Sequence, residues 1–212
     1  MTDVAVQGFR RSLGGRIVLR CDDIERGILG DLVAQLLEFV TPDDEHLWGD
    51  DLDPLARLVS IDPNAERSDD PALARLFPDA YSDDEEAASE FRRFTERSLR
   101  ETKMAHARTV AHSIDRSGNK IVLGDADAQA WLGTLNDLRL TLGSRLGIDE
   151  DNHEDFLALP EDHPTFALYH VYDWLTFLQD TLIRALTGFD AELVADEPGE
   201  PDELHHEPTD AR

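Results

Sequence analysis

Apolar residues recur at helical spacing along most of this chain and alternate in only a few short stretches, so the pattern alone predicts a mainly α fold with a small β element. "FRRSLGGRIVLRCDD" reads as two short strands joined at Gly14 and Gly15, a pair suited to a tight hairpin turn. Asp22 or Asp23 then caps a helix on which Ile24, Ile28, Leu32, Leu36 and Phe39 recur, with Val33, Leu37 and Val40 beside them. Residues 41–81 hold five prolines and read as an acidic segment with short helices. Asp53-Pro54 and Asp70-Pro71 each set a capping carboxylate before a proline at a first helical position.

Ser82 and Glu85 fit a capping box, and the helical pattern that follows runs to about Ile114 without proline or glycine. "RSGNKIVLGD" reads as a turn and a strand that can join the N-terminal hairpin. Asp125 is expected to cap the next helix, which Gly147 ends. After an acidic loop, Asp162 or His163 caps a last helix with Pro164 at its first position and Gly188 as its stop. The expected organisation is one helical domain, residues 1–188, followed by a disordered acidic tail, 189–212, in which nine acidic residues accompany one arginine.

Two of these helices share a frame, "WLGTLND" at 131–137 and "WLTFLQD" at 174–180. With Trp131 set at zero and about 100° per residue, Leu135, Leu138, Leu142 and Leu146 fall within about 60° of it, Asn136 about 140° away and Asp137 about 240°. The second frame places Leu178, Thr181 and Ala185 with Trp174, Gln179 at the flank and Asp180 outside. Trp131, Leu135, Trp174 and Leu178 are therefore expected as core anchors, with the two aspartates turned to water. Carboxylates that act together as acid and base converge to roughly 5–10 Å, and nothing in this spacing draws Asp137 and Asp180 together. The last helix carries apolar residues around most of its circumference, which suggests a central helix wrapped by the others.

Charge changes the picture in two ways. With 46 acidic and 20 basic residues the chain carries a formal net charge of -26, a field that repels polyphosphates and anionic lipid. Against it, residues 90–120 hold eight basic and four acidic side chains. Arg93, Arg97 and Arg100 share one face of the long helix with Arg108 nearby, opposite Phe91, Phe94, Ser98, Ala105 and Thr109. The expectation is a helix that buries the aromatic side and shows water an arginine stripe: a solvated face neutralised by neighbouring acidic segments or, as the alternative, a docking surface for an acidic protein partner or for the chain's own tail.

Chemistry has little to start from. Cys21 is the only cysteine, which excludes an intrachain disulfide and any multi-thiolate zinc site, and suits a reducing compartment. The apolar N-terminal run of a secretory signal and the roughly 20 apolar residues of a membrane span are both missing, so the expected location is the cytoplasm. His106 and His112 diverge by about 120° on their helix, while Glu203, His205 and His206 lie in the tail, so no metal and no cofactor is expected. Ser117 and Lys120 match a Ser-x-x-Lys spacing, but in a turn and without companion motifs. No phosphate loop, nucleophile elbow or dinucleotide fingerprint is present, and no catalytic residue is assigned.

"EFRRFTERSLRETKMAHA", "WLGTLNDLRLTLGSRLGI" and "YDWLTFLQDTLIRALTG", with the hairpin "FRR…GGRIVLR", resemble an uncharacterised actinobacterial family catalogued as a domain of unknown function, over most of residues 8–188. The resemblance implies genes often found beside those of a Clp-protease adaptor and a metallopeptidase-like protein, with some relatives labelled transcriptional regulators. It favours a non-catalytic adaptor or regulator near protein turnover. The alternatives are a DNA-binding regulator using Arg10, Arg11, Arg16 and Arg20 in a winged-helix-like arrangement, and an enzyme of unrecognised type.

Overall fold

The computed structural model describes residues 7–42, 68–80, 84–149 and 151–188, and nine elements follow one another among them. They are β1 (Arg10–Arg11), β2 (Ile17–Arg20), α1 (Asp23–Val40), α2 (Pro71–Leu76), α3 (Glu85–Arg116), β3 (Lys120–Leu123), α4 (Asp125–Leu146), α5 (His153–Leu157) and α6 (Phe166–Thr187). The fold is mainly helical with a three-stranded antiparallel sheet in the order β1-β2-β3, so the strand at 120–123 does join the hairpin. The helix expected after Asp53-Pro54, the Ser82 cap and the acidic tail lie outside the described residues.

Local chemistry sets most of the helix ends. Asp22 accepts from the amides of Ile24 and Glu25, and Glu25 reaches back to the Asp22 amide at 2.9 Å, closing a capping box. Asp70 caps α2, with Pro71 at its first position. Gly147 and Gly188 end α4 and α6 with φ of +70° and +74°, where a side chain would be strained. Three starts differ from expectation. Asp84, accepting from the Ala87 amide at 3.0 Å, caps α3. Gly124 rather than Asp125 precedes α4, and the Asp127 carboxylate approaches the Gly124 amide at 3.4 Å. The last helix begins at Phe166: His163 and Pro164 belong to a turn in which the His163 carbonyl accepts from the Phe166 amide.

The helix at the centre is α4, not α6. It touches α1, α2, α3, α6 and β3, and nine of its residues are buried, Trp131 and Leu135 among them. The Trp131 indole packs edge-on against Phe9 at 5.4 Å and donates to the Ser113 hydroxyl at 2.9 Å, tying the sheet and α3 to one side chain. Leu178 is fully buried, whereas Trp174 is only partly so, packing at the margin of the same core. On α1 the buried line is Leu29, Val33, Leu36 and Val40; Ile24 is 73% exposed, so the packed face is rotated from the expected stripe.

Candidate functional site

Asp137 contradicts the expectation that both frame aspartates face water. It is buried against α3, where Lys103 donates to it at 2.5 Å, and the two side chains are 4% and 15% exposed. Burial pushes the Asp137 carboxyl above its ordinary value, and the hydrogen bond and charge of Lys103, with His106 and Asn136, offset part of that rise. The two helices approach closely here because residue 133 is glycine: a Cβ at Gly133 would lie 2.8 Å from His106 Nδ1. The sequence pattern gives Lys103 and Gly133 no role and His106 only that of a rejected metal ligand, although Lys103 lies in line with Ala107, Val110 and Ile114, which are buried at i+4, i+7 and i+11.

The second frame behaves differently. Asp180 is exposed and pairs with Arg184 on its own helix at 2.9 Å, so the two aspartates do not meet. Gln179 accepts from Arg139 of α4, which also donates to Thr176 at 2.9 Å and lies over the Tyr172 ring. The carboxamide at the edge of the core therefore binds an arginine, a role its flank position allowed.

Along α3 the arginine stripe divides. Arg100 turns inward: it donates to the Val40 carbonyl at 2.8 Å and to Glu96 at 2.6 Å, and its guanidinium lies 4.2 Å from the centre of the Phe77 ring. It fastens α3 to the end of α1 and to the residue after α2. Arg97 pairs with Glu101 along the helix, while Arg93 and Arg108 are exposed. The aromatic side, expected to be buried, is open: Phe91, Phe94 and Leu99 are 44%, 51% and 39% exposed. The reason is length. At about 1.5 Å per residue, the 32 residues of α3 outrun the 22 of α4 by about 15 Å. Among the described residues, the overhanging turns are tied to the short segment after α2 by the pair Arg92–Asp79. Between them runs a shallow groove lined by Phe77, Pro78, Ala88, Phe91, Thr95 and Leu99.

The hairpin arginines Arg10, Arg16 and Arg20 are exposed and Arg11 is partly covered. The helix that follows them opens with Asp22, Asp23 and Glu25, so entering a DNA groove by its N-terminus would set three carboxylates against phosphate. Cys21 is buried at the end of β2, and burial, then the Glu25 charge, pushes its thiol above the ordinary value. Among the described residues no three His, Cys, Asp or Glu side chains gather as a metal site, and no helix is long and apolar enough to cross a membrane.

Curated relatives share this sequence over most of its length. The chain is 33% identical over 177 residues to the oxidative stress regulator AosR of Mycobacterium tuberculosis, covering 77% of this chain and 79% of that protein. It is 34% identical over 176 residues to the putative oxidative stress regulator AosR of Mycobacterium leprae, covering 76% and 78%. No solved structure matches. The match of residues 6–186 to the family described as Domain of unknown function (DUF2017), together with these relatives, shows that the chain belongs to that family.

Proposed function

We propose that this protein is a non-catalytic regulator that acts by protein contact, and that the overhanging half of α3 is its contact surface. The observation that carries this reading is the exposure of Phe91, Phe94 and Leu99 on a helix that is packed elsewhere. Arg97 lies about 60° and Arg93 about 100° from Phe94 around the helix, beside it and not opposite as the pattern suggested, with Arg108 about 21 Å further along. An apolar strip bordered by cations fits an acidic amphipathic segment of another protein, its apolar side on the phenylalanines and its carboxylates on the arginines. A second copy of this chain fits worse, because like arginines would face one another and each copy carries -26. Arg100 supports the surface from behind and is not free to engage a partner.

The regulators' names borne by the mycobacterial relatives support an oxidative-stress setting for that contact. With Cys21 as the only cysteine of the sequence, and buried, we place the response in the partner's binding and not in an intrachain disulfide. An adaptor role near protein turnover, which the family resemblance implies, belongs to the same proposal.

The test is site-specific photocrosslinking, with benzoylphenylalanine in place of Phe94 and, as control, in place of Gln35 on the exposed side of α1. The expected result is a crosslink to an acidic, apolar-patterned peptide at position 94 alone, lost when Arg93 and Arg97 are replaced by Glu. Equal yields at both positions, or crosslinks that survive the charge reversal, would refute the proposal.

A further inference from the structure

The outward face of the sheet carries a second surface, independent of the α3 contact. Strand register defines it. Arg10, Val18 and Val122 form one row across the three strands, and Arg20 and Lys120 the next. Arg16 precedes Val18 by two residues and so projects to the same side. The alternate positions Phe9, Ile17, Leu19, Ile121 and Leu123 fill the core. The result is a small apolar centre, with Val122 39% exposed, ringed by cations.

These arginines stand apart from the rest. Elsewhere Arg26, Arg92, Arg97, Arg100, Arg145 and Arg184 each hold a carboxylate. Arg10, Arg16 and Arg20 hold none among the described residues, in a chain with 46 acidic side chains.

The helix that precedes the acidic C-terminal segment packs beside this sheet, against β1 and β2. Thr181 of α6 accepts from the Phe9 amide at 3.1 Å, beside β1. The helix ends at Gly188, seven residues or about 10 Å further on. Beyond it, after Phe189, the sequence reads Asp190, Ala191, Glu192, Leu193, Val194, Ala195, Asp196, Glu197: three apolar residues between two pairs of acids. Leu193 and Val194 stand five and six residues past Gly188, a reach of up to about 20 Å in extended chain.

We propose that residues 190–197 dock on the outward face of the sheet, with Leu193 and Val194 on Val18 and Val122 and the flanking carboxylates on Arg10, Arg16 and Arg20, so that the chain masks its own basic face. A tether this short gives the segment an effective concentration of order mM, while a free polyanion must first approach a body of net charge -26. The intramolecular occupant therefore wins at equal intrinsic affinity.

A nitroxide at Ala195→Cys in the full chain, on a Cys21→Ala background, tests this by paramagnetic broadening of backbone amides. The expected result at about 0.1 M salt is loss of the Val18 and Val122 signals with those of Phe94 unaffected. The signals should return at about 1 M salt, where the screening length falls from about 10 Å to about 3 Å. The Arg10→Glu, Arg16→Glu, Arg20→Glu variant should restore them at low salt. Full signals at the sheet, or broadening centred on α3, would overturn the proposal. A short DNA duplex that binds the sheet face without displacing the label would overturn it equally, because the face would then serve nucleic acid.

Discussion

The two halves of α3 belong to one uninterrupted helix and do opposite things. From Lys103 to Ile114 it is a structural member: Lys103 holds Asp137, Ala107 and Val110 are fully buried, and Ser113 receives the Trp131 indole. Its first turns, about ten residues from Glu85, outrun α4, and between Glu85 and Leu99 two phenylalanines and a leucine are open. Helix propensity is much the same in both halves. What differs is whether α4 runs alongside, so neighbouring length decides which residues a helix buries and which it offers.

That contrast predicts separable effects of substitution. Lys103→Ala or Asp137→Ala strands a buried charge and should cost about 3–5 kcal/mol, read from denaturant midpoints. Phe94→Ser should change stability by no more than about 0.5 kcal/mol and weaken the partner contact about tenfold. A destabilisation by Phe94→Ser as large as that of Lys103→Ala would erase the distinction. Arg100 marks the boundary. Arg100→Ala should cost about 1.5–3 kcal/mol by removing charged hydrogen bonds to Glu96 and the Val40 carbonyl, while Arg93→Ala should be close to neutral.

The smallest expected effect is a pH dependence in the structural half. Because burial holds the folded Asp137 carboxyl above its unfolded value, the folded state takes up more protons between those two values. Stability should therefore fall as pH rises through that window, and Asp137→Asn should remove this part of the slope. An unchanged slope in urea titrations of the variant would show that Asp137 does not titrate differently on folding.

Features set by nearest neighbours in sequence were legible before the fold was known. The Asp22 and Asp70 caps, the Gly147 and Gly188 stops and the strand at 120–123 all follow from side chains within a few residues of where they act. Long-range contacts were not. Asp137 is buried because a lysine 34 residues away meets it, and the frame it shares with Asp180 holds no trace of that difference. Periodicity sets arginine toward water and phenylalanine toward the core; Arg93 and Arg108 follow it, while Arg100, Phe91 and Phe94 do the opposite. Arg100 satisfies its guanidinium on a carbonyl, a carboxylate and an aromatic ring, so its position on the packed side carries no penalty that periodicity could detect. Nor does any local signal reveal that α4 ends before α3 begins to need it.

Hydrogen exchange along α3, in the isolated chain and in its complex with the partner captured at position 94, tests the central claim most directly. The overhanging half is expected to exchange fast when free and to gain protection across residues 88–99 on binding, with residues 104–116 slow in both states. Protection gained elsewhere on the molecule while 88–99 stays fast would contradict the assignment of this half as the contact surface.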